Sequence, residues 1–128
     1  MRHVFVYGTL LPGEVRWHHL APFVIGDGTA DQVGGTLFDT GLGYPGARFD
    51  EAMGTIHGRC FELVADTVDR ALMTLDEVEG AVEGLYRRRR IQTQAGLEAW
   101  AYEHGDAVAT RAWVPIPGGC WLSHRPSP

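Results

Sequence analysis

Residues 4–10 of the chain read VFVYGTL, an apolar run that ends abruptly at Gly8. The run predicts a short buried strand, and the glycine predicts a turn directly after it. Backbone N–H groups at such a turn have no partner in a sheet, so they can point at an anion or an oxyanion. The turn is therefore a candidate binding element, although an ordinary strand-ending turn has the same local sequence.

Glycine and proline divide the rest of the chain into short segments. Apolar, β-branched and aromatic runs between these breaks predict strands at 23–25, 35–38, 56–64, 85–93 and 97–102. Residues 14–20 predict a short helix, and residues from Pro115 onward predict an irregular tail. The pattern favours a mostly antiparallel sheet with one main helix and one short helix. Since neither a repeat nor a linker is visible, we expect a single domain over residues 1–128.

The main helix is predicted over residues 66–79, with Asp66 as its N-cap and Gly80 as its C-terminal glycine cap. Three carboxylates crowd its last turn, those of Asp76, Glu77 and Glu79, where the helix dipole disfavours negative charge. The dipole, the neighbouring carboxylates and burial would each raise the pKa of a carboxylate. Glu79 is therefore a candidate general base. A solvated acidic helix end paired with nearby arginines is the alternative.

Residues 87–90 are four consecutive arginines, a pattern that can contact nucleic acid. In a strand, however, only two of the four share a side, and the acidic residues of 50–83 offset their charge. The formal net charge of −5 does not draw the chain to nucleic acid or to an anionic membrane. We therefore expect a strand with solvated outer arginines and one or two inner ones paired to carboxylates.

Cys60 and Cys120 are far apart, and neither they nor the histidines show the spacing of a metal site. The N-terminal apolar run is too short for a signal peptide, and no stretch approaches the roughly 20 apolar residues of a membrane span. These observations predict a cytoplasmic protein without a metal ion and without a membrane partner.

Six short motifs follow one another along nearly the whole chain. They are FVYGTL at 5–10, YPGA at 44–47, GTIHGRCFEL at 54–63, LDEVEG at 75–80 followed by YRR at 86–88, AWAY at 99–102, and IPGGCW at 116–121. In this order they resemble the γ-glutamylcyclotransferase-like family, including its AIG2-like and γ-glutamylamine cyclotransferase branches. Two departures stand out: Arg59 or Cys60 lies where the family often has Glu, and Cys120 lies where Asp is usual.

The resemblance implies an α+β fold, a small mostly antiparallel β-barrel with flanking helices. It implies that Glu79 is the general base and that the backbone of the turn binds an anion, through Tyr7, Gly8, Thr9 and Leu10. Side chains of the other motifs are candidate pocket residues: Tyr44, Tyr86, Arg88 and Tyr102.

The reaction implied is cyclisation of a γ-glutamyl group to 5-oxoproline, with release of an amine or amino acid and without a cofactor. The partner implied is a small γ-glutamyl compound, whose leaving group the sequence leaves open. A module that binds a small anion on the same fold without turnover is the alternative, since a fold does not fix a function.

Overall fold

The computed structural model of the chain describes residues 1–41, 43–50, 54–80, 86–104 and 113–124. In these ranges the strands are β1 (His3–Val6), β2 (Val24–Asp39), β3 (Pro45–Phe49), β4 (Thr55–Leu63), β5 (Tyr86–Gln92), β6 (Glu98–His104) and β7 (Val114–Pro115). The α-helices are α1 (Trp17–Leu20), α2 (Val68–Val78) and α3 (Trp121–His124), with 3-10 turns at Ala21–Phe23 and Ala65–Thr67. None of the helices in the described ranges is long and apolar enough to cross a membrane.

All seven of these strands belong to one sheet, in the order β3-β2-β4-β1-β6-β5, with β7 also paired to β2. Every pair is antiparallel except β1 with β6, which is parallel. Strand β1 therefore lies at the centre of the sheet, where Val4 pairs with Phe61 on one side and with Trp100 on the other.

Strand β2 spans 16 residues, where the sequence predicted two separate strands at 23–25 and 35–38. It pairs with β4 from Val24 to Gly34 and then with β3 from Gly35 onward. A Cβ atom on Gly35 would lie 2.3 Å from the carbonyl oxygen of Arg48, so only glycine allows the two backbones to approach there. The glycines that suggested breaks instead bend one continuous strand from one partner to the next.

The gap between β3 and the β5–β6 pair is bridged by the side chain of Glu103, which is 2% exposed. Its carboxylate accepts the Phe49 N–H at 3.0 Å, and Arg89 donates to the Phe49 carbonyl oxygen at 2.9 Å. We call this contact between β3, Glu103 and the β5 arginines the seam. With the seam in place the sheet forms a nearly closed barrel, which confirms the predicted fold.

Side chains of β1 and of Tyr7, the residue that follows it, alternate between two apolar layers. Phe5 and Tyr7 face the barrel interior, whereas Val4 and Val6 face outward into a cluster that includes Leu75 of α2. Helix α2 therefore covers the outer face of the central strand, and its C-terminus lies beside the end of β1.

Helix α2 begins at Val68, not at Asp66, which lies in the preceding 3-10 turn. The predicted Asp66 cap is wrong: Thr67 holds the N-cap position without a side-chain cap, and its hydroxyl donates back to the Val64 carbonyl at 2.9 Å. The predicted C-terminal cap is confirmed, since Gly80 has φ of 71° and donates its N–H to the Glu77 carbonyl.

Smaller corrections concern the bounds of the other predicted elements. The predicted helix at 14–20 is helical only over Trp17–Leu20 because turns precede it, and the tail contains β7 and α3. Strand β5 begins at Tyr86; Leu85, the predicted first residue, lies outside the described residues.

Candidate active site

In the turn after β1, backbone carbonyl groups accept hydrogen bonds from residues further along the chain. Gly8 accepts the Leu11 N–H at 3.0 Å, and Thr9 accepts the Arg16 N–H at 2.8 Å. Within the described ranges, the amides of Gly8, Thr9 and Leu10 donate to no backbone carbonyl. At the end of the central strand the turn therefore has N–H groups without a carbonyl partner among the described residues, as an anion or oxyanion site requires.

Gly8 is required by the packing of the pocket wall. A Cβ atom on this residue would lie 2.5 Å from Pro45 Cγ and 2.9 Å from Pro45 Cδ. The Pro45 carbonyl in turn accepts the hydroxyl of Tyr86 at 2.8 Å. Glycine therefore lets β3 approach the turn closely, a packing role that was not predicted from the sequence.

Gly8→Ala is expected to lower the free energy of unfolding by about 1–3 kcal/mol, because Pro45 or the turn must shift. Denaturant unfolding measures the loss. Gly118→Ala is the matched control, because a Cβ atom on Gly118 meets nothing within 4 Å. Equal stability of both variants and wild type would contradict the packing role of Gly8.

Glu79 directly follows α2, and its carboxylate is enclosed by the pocket. The side chain is 11% exposed, and its Oε2 lies 4.0 Å from Arg16 Nη1. Burial raises the pKa of Glu79 to about 7, and the Arg16 guanidinium opposes that rise. The direction of this pKa shift agrees with the prediction, and burial, one of the three predicted causes, is the one that raises it. The Asp76 carboxylate accepts a hydrogen bond from the Tyr102 hydroxyl, and Glu77 is exposed.

Three tyrosine hydroxyls around the pocket donate to protein oxygens. The Tyr7 hydroxyl donates to the Tyr102 carbonyl, that of Tyr102 to Asp76 Oδ1 at 2.6 Å, and that of Tyr86 to Pro45. Burial raises the pKa of each of these phenols, so all three stay protonated near neutral pH. The rings therefore form a rigid aromatic wall.

These elements enclose a narrow pocket with about 20 Å³ of free space. Most of the residues singled out from the sequence line it: Tyr7, Gly8, Thr9, Leu10, Tyr44, Glu79, Tyr86 and Tyr102. The structure thus brings the turn and the Glu79 carboxylate, 69 residues or more apart in the chain, into one cavity.

Arg88 does not line this pocket, which corrects its prediction as a pocket residue. It shares a face with Tyr86 but lies two positions further along β5, beyond the pocket. Its Nε lies 3.6 Å from Asp76 Oδ1, and its guanidinium lies 4.8 Å from the centroid of the Trp100 ring. Arg88 therefore stabilises the negative charge of Asp76, whose carboxylate accepts the hydrogen bond of the Tyr102 hydroxyl.

The other three arginines of the run are also paired to carboxylates. Arg87 and Arg89 contact Glu103 at 2.8 and 3.2 Å, and Arg90 lies 3.7 Å from Glu98. Arg87 and Arg89 are therefore solvated, as expected of the outer arginines, but they are also paired to a carboxylate, which was not predicted. Their side chains are about half exposed, and their guanidinium groups contact Glu103 at the seam.

Four residues that line the pocket were not predicted as site residues: Phe5, Val6, Arg16 and Pro45. The sequence feature that could have indicated Arg16 is a basic residue seven positions after Thr9, in a segment rich in turn residues. Among the residues that the structure describes, no three His, Cys, Asp or Glu side chains come together as metal ligands.

A family model described as gamma-glutamyl cyclotransferase, AIG2-like, matches residues 4–123. Among solved structures, PH0828 from Pyrococcus horikoshii is 22% identical, over 96% of this chain and 92% of that one, with a TM-score of 0.69. An AIG2-like protein from Mus musculus is 19% identical over 94% of each chain, with a TM-score of 0.61.

A structure named gamma-glutamyl cyclotransferase is 16% identical, over 91% of this chain and 72% of that one, with a TM-score of 0.55. These identities show a shared fold, and no curated protein sequence matches the chain. Because the family model spans nearly every residue, the chain belongs to the gamma-glutamyl cyclotransferase, AIG2-like family.

Proposed function

We propose that the protein is a γ-glutamylcyclotransferase-type enzyme that converts a γ-glutamyl group into 5-oxoproline and releases an amine or amino acid. The observation that carries the proposal is the Glu79 carboxylate, buried in a pocket that the turn also lines, with a pKa raised to about 7. A carboxylate with this pKa can both accept and return a proton near neutral pH.

The γ-glutamyl group carries its own nucleophile, the α-amine. In the proposed reaction the neutral amine attacks the γ-carbonyl carbon, and Glu79 takes one proton from the attacking nitrogen. The bond between the γ-carbon and the departing nitrogen then breaks, and Glu79 returns the proton to that nitrogen. One N–C bond forms and one breaks, so the step needs no external reactant.

The tetrahedral intermediate carries negative charge on the former carbonyl oxygen. The amides of Gly8, Thr9 and Leu10 are the donors assigned to it, because the described part of the chain leaves them without a carbonyl partner. The aromatic wall keeps the chain of the substrate folded, and ring closure gains from the proximity of amine and carbonyl.

A panel of γ-glutamyl amino acids, ε-(γ-glutamyl)-lysine and γ-glutamyl polyamines tests the proposal, with 5-oxoproline measured by mass spectrometry. We expect 5-oxoproline and free amine in equal amounts from at least one member, and a rate that rises with pH through about 7 as Glu79 ionises. Binding of panel members without any 5-oxoproline would contradict the proposal in favour of an anion-binding module.

A further inference from the structure

Arg16 is held at the pocket by the same segment that forms the turn. Its N–H donates to the Thr9 carbonyl at 2.8 Å, and α1 begins at the next residue. The side chain is 34% exposed and lies against the pocket, with its guanidinium carbon 5.8 Å from the centroid of the Tyr44 ring. The backbone and the ring therefore fix the direction of this cation.

Among the described residues that line the pocket, Arg16 is the one cation and Glu79 the one carboxylate. The 4.0 Å between Arg16 Nη1 and Glu79 Oε2 exceeds hydrogen-bond distance. No other acceptor for the guanidinium occurs in the part of the chain that the structure describes. The N–H groups of Arg16 are therefore available to a ligand.

The α-carbon of a γ-glutamyl group carries an amine and a carboxylate together. If Glu79 takes the proton of the amine, the carboxylate on the same carbon must also lie close to Glu79, because its carbon is two bonds from the amine nitrogen. A cation beside Glu79 is the matching partner, and the planar guanidinium can bind a carboxylate through two parallel hydrogen bonds.

On the basis of the function proposed above, we propose that Arg16 binds the α-carboxylate of the γ-glutamyl group. This contact holds the amine against Glu79 and makes the enzyme specific for substrates with a free α-amino acid end. Compounds whose α-carboxylate is absent or blocked are then poor substrates, whatever their leaving group.

The test compares a γ-glutamyl amide with the 4-aminobutanoyl amide of the same amine, which lacks only the α-carboxylate and cyclises to 2-pyrrolidinone. Wild type is expected to prefer the γ-glutamyl compound by about 100-fold or more in kcat/KM. Arg16→Gln is expected to lose about 10–100-fold on the γ-glutamyl compound, chiefly through KM, and little on the other. Arg16→Lys should recover part of the loss because it keeps the charge.

Arg90→Gln is the matched control, since it removes an arginine whose side chain is 63% exposed and pairs with Glu98. It should keep both rates. An equal loss by Arg16→Gln on both substrates would mean a structural role and would overturn the inference.

If wild type turns over neither compound, the proposed function fails, and calorimetry with 5-oxoproline and 2-pyrrolidinone decides the Arg16 contact separately. Preferential binding of 5-oxoproline that Arg16→Gln abolishes and Arg90→Gln retains supports the contact. Absence of that preference in wild type, or its persistence in Arg16→Gln, overturns it.

Discussion

Replacing Glu79 with glutamine is expected to lower turnover of a γ-glutamyl substrate by about 10²–10⁴-fold while the fold and ligand binding survive. Glutamine keeps the shape of the side chain and can form hydrogen bonds, but it cannot accept a proton at neutral pH. Initial rates of 5-oxoproline release measure the loss, and calorimetry with 5-oxoproline measures binding.

The same variant should be more stable than wild type at high pH. Because burial raises the pKa of Glu79 from 4.5 to about 7, the folded state binds this proton more tightly than the unfolded state. Wild type therefore loses stability as pH rises from about 4.5 to 7, by roughly 1–3 kcal/mol. Melting curves at pH 8 should favour Glu79→Gln, and the difference should close at pH 4.

Glu77→Gln is the matched control, because Glu77 lies at the same helix end but is exposed. It should leave turnover and the pH dependence of melting close to wild type. The assignment of Glu79 would be wrong if Glu79→Gln released 5-oxoproline at the wild-type rate.

Glu103→Gln is expected to destabilise the fold by about 2–4 kcal/mol. One carboxylate oxygen accepts Arg87, and the other accepts both Arg89 and the Phe49 N–H. A glutamine must present its NH₂ to one of these sets of donors, so the seam loses at least one favourable contact and gains a donor facing a donor. Urea unfolding at neutral pH measures the effect.

Glu98→Gln controls for loss of charge on β6, because Glu98 is 64% exposed and its arginine partner lies 3.7 Å away. It should cost less than about 1 kcal/mol. Burial alone would raise the pKa of Glu103, but the Phe49 N–H and the two arginines outweigh burial and hold it below the usual value. The difference between Glu103→Gln and wild type should therefore shrink as pH falls through that lowered pKa. Equal stability of the two variants at neutral pH would contradict the role of the seam.

Local patterns in the sequence predicted the features that depend on neighbouring residues. The apolar spacing and Gly80 predicted α2 and its end, and the VFVYGTL run predicted a strand followed by a turn. The order of motifs predicted the barrel and associated Glu79 with the turn. Each of these rests on periodicity, on glycine geometry or on a resemblance that the chain itself displays.

Features set by distant contacts could not be predicted in this way. Arg88 was expected in the pocket, but which end of β5 reaches the pocket depends on the register with β6. The buried role of Glu103 depends on β3 lying opposite β6, and the pKa of Glu79 depends on the layers packed around it. Glycines mark both breaks and bends, so the sequence did not distinguish two strands from the single strand β2.

The central place of β1 also bears on the order in which the protein assembles. Val4 pairs with Phe61 and with Trp100, partners that are synthesised long after it. Closing such long loops costs chain entropy before any contact repays it, and folds rich in distant pairings are slow to form. The turn after β1 thus leaves the ribosome well before β6, and its pocket is complete only after β6 has been made.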